Sequence, residues 1–115
     1  MNGEERPWGK YEILLDSDYC KVKRITVNPK QRLSYQYHHR REENWTIVIG
    51  EASITLDDEL FVLRPGQSVK IARGTKHRVE NTQDDHDLVF IEVQTGDYFG
   101  EDDIVRLSDD YGREE

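Results

Sequence analysis

Four side chains in this sequence have the types and the spacing to hold one divalent cation: Gln36, His38, Glu43 and His77. Gln36 and His38 stand two apart in an alternating segment, and residues i and i+2 of a strand project from one face, as two ligands of one ion must. The tract from His39 to Glu42 is too charged to continue a half-buried strand. A turn there resets the alternation and lets Glu43 lead the next strand pointing inward, with Trp45, Ile47 and Ile49 on its face. A carboxylate on such an apolar interior is costly unless a cation pairs with it, and a metal removes the cost. His77 follows Gly66, Ala72 and Gly74, with Asn81 beyond it, which reads as a glycine turn, a strand, a second turn and an inward imidazole. Two imidazoles, an amide oxygen and a carboxylate make a set that suits Zn²⁺ first and also accepts Co²⁺, Ni²⁺, Mn²⁺ or Fe²⁺. Alone, the Gln-x-His pair is what chance places on a surface hairpin; the full spacing is not.

The elements that must position these residues read as strands. Short apolar or alternating segments recur at Tyr11 to Leu15, Tyr19 to Val27, Leu33 to His38, Trp45 to Ile49, Ala52 to Leu56, Leu60 to Leu63, Ser68 to Ala72 and Leu88 to Gln94. Between them lie turn signals at Asn28-Pro29, Gly50, Asp57-Asp58, Pro65-Gly66, Gly74 and Asp84-Asp85. Sustained helical periodicity is absent, apart from one expected turn of helix around Asp102 to Leu107. The pattern predicts a series of hairpins closed into an all-β barrel, since closure hides strand edges that would otherwise invite aggregation. Met1 to Glu5 and Gly112 to Glu115 read as tails, mobile or lying on a neighbouring subunit.

A chain of 115 residues is the size of one domain, because half of it would bury too little surface to be stable. One domain over residues 1–115 is therefore expected. The net charge of −8 repels nucleic acid and anionic membranes, which excludes both as partners. Apolar runs fall short of the roughly 20 residues of a membrane helix, and Cys20, the only cysteine, allows neither an internal disulfide nor a thiolate zinc site. A soluble protein of the reducing cytoplasm is the expectation. The acid concentrates in Asp84 to Asp87 and Glu101 to Glu115, while Lys23, Arg24, Arg40, Arg41, Lys70, Arg73, Lys76 and Arg78 lie near the metal-ligand candidates in sequence. This distribution allows a cationic pocket suited to a small phosphorylated ligand.

The stretch from Gln36 to Gly50 resembles the first motif of the cupins, with Gln36 in place of its usual first histidine, then His38, Glu43 and Gly50. Gly66 to Asn81 resembles the second motif, with Ala72 where a proline is usual. The resemblance narrows with Arg6-Pro-Trp-Gly9, Val22-Lys-Arg-Ile25, Leu33-Ser-Tyr-Gln36, Arg41 with Glu43 and Trp45, Ile91-Glu-Val-Gln94, Gly100-Glu-Asp-Asp-Ile104, Arg106 and Asp110-Tyr-Gly-Arg113. Together these are similar to type II mannose-6-phosphate isomerase domains, the cupin often fused behind a mannose-1-phosphate guanylyltransferase. This chain resembles the isomerase module alone. The resemblance implies an all-β, single-domain cupin (jelly-roll) β-barrel that interconverts mannose 6-phosphate and fructose 6-phosphate through an enediol.

That chemistry needs a Lewis acid, a base that moves a proton between neighbouring carbons, and a cation for the phosphate. The metal meets the first need. Arg106, with Lys23 as accessory, is the phosphate candidate, since a guanidinium can bind two phosphate oxygens at once; its other reading is an exposed charge on an edge segment. Lys23 and Arg24 alternate, so one faces the lumen, and the family pattern selects Lys23. Glu92 is the candidate base, a carboxylate within a core strand; alternatively it pairs with an arginine across the sheet. Tyr37 and Trp45 read as packing residues, His39 as outward, His86 as solvated, and Glu101-Asp-Asp103 as a segment that orders the tail. Arg40 and Asn44 stand where the family commonly carries histidine and Lys70 where an aromatic is usual, which implies an altered pocket. The alternatives are a noncatalytic metal-containing sugar-binding or regulatory cupin and an iron-dependent cupin dioxygenase. A homodimer paired through an edge strand or an exchanged terminal arm is expected.

Overall fold

The computed structural model describes residues 2–112. Its strands are β1 (Asn2–Arg6), β2 (Gly9–Asp16), β3 (Cys20–Val27), β4 (Tyr35–His38), β5 (Arg41–Ile49), β6 (Ala52–Leu56), β7 (Glu59–Leu63), β8 (Ser68–Ile71), β9 (His77–Glu80), β10 (Leu88–Gly96) and β11 (Ile104–Ser108), with one 3₁₀ turn at Glu101–Asp103 before β11. All pair antiparallel, in a six-stranded sheet ordered β1-β2-β3-β10-β5-β8 and a five-stranded sheet ordered β11-β4-β9-β6-β7. The all-β expectation holds. No helix among the described residues is long and apolar enough to cross a membrane.

Period-two alternation is cleanest where a strand is central. Along β10, Leu88, Phe90, Glu92 and Gln94 are buried while the residues between them are half-exposed, and along β5 Arg41, Glu43, Trp45 and Ile47 are buried in the same way. Buried side chains of both sheets, including Ile25, Val27, Trp45, Ile47, Ile71, Leu88 and Phe90 from one and Ala52, Ile54 and Val79 from the other, form one cluster. Ile49, expected on the Glu43 face, is exposed. The ladder with β10 shifts register between Val89 and Phe90, which pair with Ile49 and Ile47, so the alternation breaks there. The chain then turns through Gly50 at φ +85°, where a Cβ would meet the Asp87 carbonyl oxygen at 2.8 Å.

Three stretches differ from the sequence reading. Residues 2–5, expected as part of a tail, form edge strand β1 together with Arg6, paired with β2 from Asn2↔Ile13 to Arg6↔Gly9. An edge strand with mostly exposed side chains carries little apolar signal, because backbone hydrogen bonds hold it; here a Glu4–Tyr11–Arg6 side-chain cluster adds to them. The expected helical turn over Asp102 to Leu107 is a shorter 3₁₀ turn followed by β11, whose pairing with β4 supplies hydrogen bonds that so short a helix cannot. The turn expected over His39 to Glu42 is confined to His39 and Arg40, and Arg41 already begins β5. Of the C-terminal tail, Gly112 lies in a turn and residues 113–115 fall outside the described residues.

Candidate metal centre and its cleft

Strand register gathers most of the interior polarity at one end of the fold; buried Asn81, which donates to the Val27 and His86 carbonyls, lies at the other. Across the six-stranded sheet, one inward row is Val27 and Leu88, the next Ile25, Phe90 and Ile47, the next Lys23, Glu92 and Trp45, and beyond them lie Gln94 and Glu43. Across the five-stranded sheet Arg106 pairs with Gln36, Gln36 with His77, and Ile104 with His38, while Val79 and Ile54 form the apolar row beside them. The chain thus alternates by strand and sorts by row. The result is an apolar floor and a polar end.

His38, Glu43 and His77 meet there, each with a ligand atom within 4.8 Å of the others, and all three are buried. Their Nε2 atoms carry the clearest sign of a missing partner: both imidazole Nε2 atoms are buried without a hydrogen bond. The Thr75 carbonyl oxygen lies 2.9 Å from His77 Nδ1 and accepts its proton, which leaves the Nε2 lone pair free for a cation. Burial, then the Arg41 charge and His77, push the His38 pKa down to about 2, so its ring is neutral, the state a metal requires. Glu43 Oε2 lies 3.8 Å from His38 Nδ1 and Oε1 lies 3.8 Å from His77 Nε2. These spacings are too long for hydrogen bonds and comparable to the separation of two atoms that each stand about 2.0–2.2 Å from one ion. The residues present therefore fit a divalent ion. Gln36, the cross-strand partner of His77, lines the adjoining cleft, and its Oε1 accepts the Ser34 hydroxyl at 2.6 Å.

Glu43 is the hub of a buried network. Arg41 Nε donates to Oε2 at 2.9 Å, and Trp45 Nε1 donates to both Glu43 Oε1 and Glu92 Oε2 at 3.1 Å. Gln94 Nε2 donates to Glu92 Oε1 at 2.6 Å. Trp45 therefore packs on Phe90 and His77, as a packing residue should, and also ties the two carboxylates together. Burial pulls both carboxyls up, but the Arg41 guanidinium and His77 outweigh it at Glu43 and hold that group below the ordinary carboxylate range. At Glu92 burial and then the Glu43 charge prevail and push it above that range. One environment thus drives two neighbouring carboxyls apart, the condition for an ionised ligand beside a proton acceptor of raised basicity. The hydrogen-bond donors to Glu92 are Trp45 and Gln94, not an arginine.

An open cleft runs past this network, lined by Lys23, Gln36, Arg41, Glu92 and Arg106, with Arg6 and Tyr11 also in its lining. Lys23 faces it and is buried; Arg24, opposite in parity, pairs with Glu12 on the outside. Arg106 lines the cleft, and its Nε is buried without a hydrogen-bond partner. Four cations border the cleft against the carboxyls of Glu92 and Glu101, so it is locally cationic within an acidic protein. Arg40, Asn44 and Lys70, expected to alter the pocket, are exposed on the outside, where Arg40 pairs with Asp97 and Lys70 with Glu42. His39 and His86 are likewise exposed.

Sequence reasoning quoted Arg6 within the family pattern but missed its place in the cleft, and it missed the buried role of Arg41. The available signal for Arg41 was a charge two residues before Glu43, hence on the same strand face. The second missed device is Asp103, whose carboxylate accepts the backbone N–H groups of His39 at 3.2 Å and Arg40 at 2.9 Å and so holds the turn between His38 and Glu43. The turn after β8 is held in a similar way: Gly74, at φ +77°, donates its N–H to the His38 carbonyl at 2.8 Å, and Thr75 N–H closes on the Ala72 carbonyl at 3.1 Å. Asp103→Ala strands two backbone donors and is expected to cost about 1–3 kcal/mol in urea unfolding, with weakened metal retention. An unchanged midpoint would show that the turn holds itself.

The family described as "Mannose-6-phosphate isomerase C-terminal" matches residues 3–109. A mannose-1-phosphate guanylyltransferase of Salmonella montevideo is 49% identical over 108 residues, which are 94% of this chain and 23% of that protein. The alginate biosynthesis protein AlgA of Pseudomonas aeruginosa is 48% identical over 108 residues, 94% of this chain and 22% of that protein. The chain thus spans less than a quarter of the length of these curated relatives. In fold it is similar to an RmlC-like cupin from Shewanella frigidimarina, at TM-score 0.75 and 20% identity over 88% of this chain and 86% of that one. With its two facing antiparallel sheets and a buried His-Glu-His set at one end, this cupin chain belongs to the mannose-6-phosphate isomerase C-terminal family.

Proposed function

We propose that the chain is a metal-dependent sugar-phosphate isomerase module that interconverts mannose 6-phosphate and fructose 6-phosphate through an enediol. The observation that carries this reading is a cleft lined by a carboxyl of raised basicity and buried cations, adjoining a candidate metal set to which Arg41 and Trp45 tie it by hydrogen bonds to Glu43. His38, Glu43 and His77 hold the ion with Gln36 as fourth ligand, zinc first among the metals this set accepts. When bound, the ion supplies a Lewis acid that polarises the sugar carbonyl and its neighbouring hydroxyl.

The chain's own residues do the rest. Glu92, as carboxylate, takes the proton from C2 of the aldose; the electron pair left behind forms the C1–C2 double bond as the carbonyl π pair moves to O1, which takes a proton to give the enediol. Returning the C2 proton to C1 while O2 gives up its hydroxyl proton, balancing the one O1 gained, completes the ketose. Lys23, the cross-strand neighbour of Glu92, and Arg106 at the far side of the cleft orient the phosphate, and Arg106's unpartnered Nε leaves a donor to spend on it. The reading of a noncatalytic sugar-binding cupin rested on Arg40, Asn44 and Lys70, and their exposure removes that ground. A coupled assay decides between turnover and binding. Conversion of fructose 6-phosphate that disappears with chelator and returns with Zn²⁺ is expected; a thermal shift with the sugar phosphate and no turnover would leave only a binding module.

A further inference from the structure

We propose that Glu101 is an internal anion that occupies Lys23, one of the cations proposed to receive the substrate's phosphate, together with the neighbouring Arg41, and so tunes the affinity of the cleft for phosphate. The inference rests on the sugar-phosphate reading above. Glu101 Oε2 lies 3.5 Å from Arg41 Nη1 and 3.9 Å from Lys23 Nζ, and the side chain lines the same cleft as Arg106. Its position differs from that of its partners: Lys23 and Arg41 are almost fully buried, with side-chain exposures of 7% and 3%, whereas Glu101 is 47% exposed.

The anchoring is equally asymmetric. Arg41 is fixed by its hydrogen bond to Glu43, and Lys23 packs over the Tyr11 ring, 4.3 Å from its centre. Glu101 reaches the cations from the 3₁₀ turn, which is tied down at Asp103 by the backbone of His39 and Arg40 and by Asp103 N–H donating to the Gly100 carbonyl. The Glu101 carboxylate can therefore swing into solvent without breaking any of those ties. Fixed cations under a movable carboxylate form a site already filled by a monoanion. A phosphate dianion carries the charge to displace it and bears the cost of doing so, while a neutral hexose leaves it in place. Glu101 thus lowers the affinity of the cleft for phosphate and leaves that for a neutral sugar unchanged.

The test is calorimetric titration of the metal-loaded protein with inorganic phosphate and, separately, with mannose, at low ionic strength. Removing one charge beside a partly exposed site is expected to tighten phosphate binding about tenfold in Glu101→Gln and in Glu101→Ala, with a smaller gain at high salt. Affinity for mannose stays within about twofold of wild type, since a neutral sugar feels little Coulombic change. Using two variants separates loss of the charge from any new hydrogen bond made by the glutamine amide. Phosphate affinity that is unchanged or weaker in both overturns the inference and makes Glu101 an organiser of the cations. Arg106→Ala distinguishes that failure from failure of the sugar-phosphate reading. If wild type binds phosphate and Arg106→Ala does not, the anion site stands and only the role of Glu101 falls; if none of the proteins binds phosphate, both fall.

Discussion

His77→Ala is expected to abolish retention of the divalent ion and to lower the conversion of fructose 6-phosphate at least about a thousandfold, since a Lewis acid supplies several kcal/mol of transition-state stabilisation. The reason for choosing His77 is its geometry. Thr75 fixes its tautomer from behind, and its free Nε2 is enclosed with Glu43 and His38. Metal analysis should fall from about one ion per chain to none, and chelator treatment of the wild type should reproduce the variant's loss of activity. Binding to the folded state alone also stabilises it, by about 2.7 kcal/mol at a hundredfold excess over the dissociation constant. The wild type should therefore show a metal-dependent rise in melting temperature that His77→Ala lacks. A variant that keeps one ion per chain would remove His77 from the ligand set.

Glu92→Gln is expected to reduce kcat about 10²- to 10⁴-fold, the scale of a lost general base, while KM changes little. The amide preserves shape; its oxygen still accepts from Trp45 Nε1, and its NH2 is received by Gln94 once that amide flips to present its otherwise unpartnered Oε1. Because the proposed step passes a proton through the Glu92 carboxylate, the wild type should exchange substrate C–H hydrogen with D₂O during turnover, and the variant should not. This readout separates chemistry from folding, since a merely structural glutamate would lower stability without selectively removing exchange. Normal turnover with normal exchange would assign the base elsewhere. The environment explains why this carboxyl and not Glu43 is chosen: both are buried, but only Glu43 has the Arg41 guanidinium within hydrogen-bonding reach.

Much of the barrel was legible because central strands obey a strict period. In β5 and β10 the buried and exposed positions alternate as the residue types do, and Glu43, His38 and His77 could be placed inward from parity and turns alone. Parity failed where the ladder did: at the bulge opposite Val89, Ile49 leaves the interior despite its type. Edge elements were the least legible. β1 and β11 owe their conformation to a neighbour's backbone; β1 carries no apolar run, and Ile104, Val105 and Leu107 of β11 are too few to separate a strand from a helical turn.

Three exposed residues teach the complementary lesson. Arg40, Asn44 and Lys70 read as changes to the pocket because they depart from the residue types the family commonly carries there, yet each has the outward parity or sits in the turn. Arg41, one residue from Arg40, is buried against Glu43. Adjacency along a strand separates side chains onto opposite faces, so nearness in sequence is a poor guide to nearness in space.

By itself the sequence determined the fold class, the inward faces of the central strands and the kinds of atom offered to a cation, since alternation and turn chemistry are local properties of the chain. Tertiary structure alone decided which rows of the two sheets face one another. That register stacks Lys23, Glu92 and Trp45 over the end where Arg106, Gln36 and His77 align, and it brings Arg6 and Glu101 from the two ends of the chain to the same cleft. No local rule encodes those meetings, because they depend on long-range pairing and on the burial energy of a core shared by both sheets.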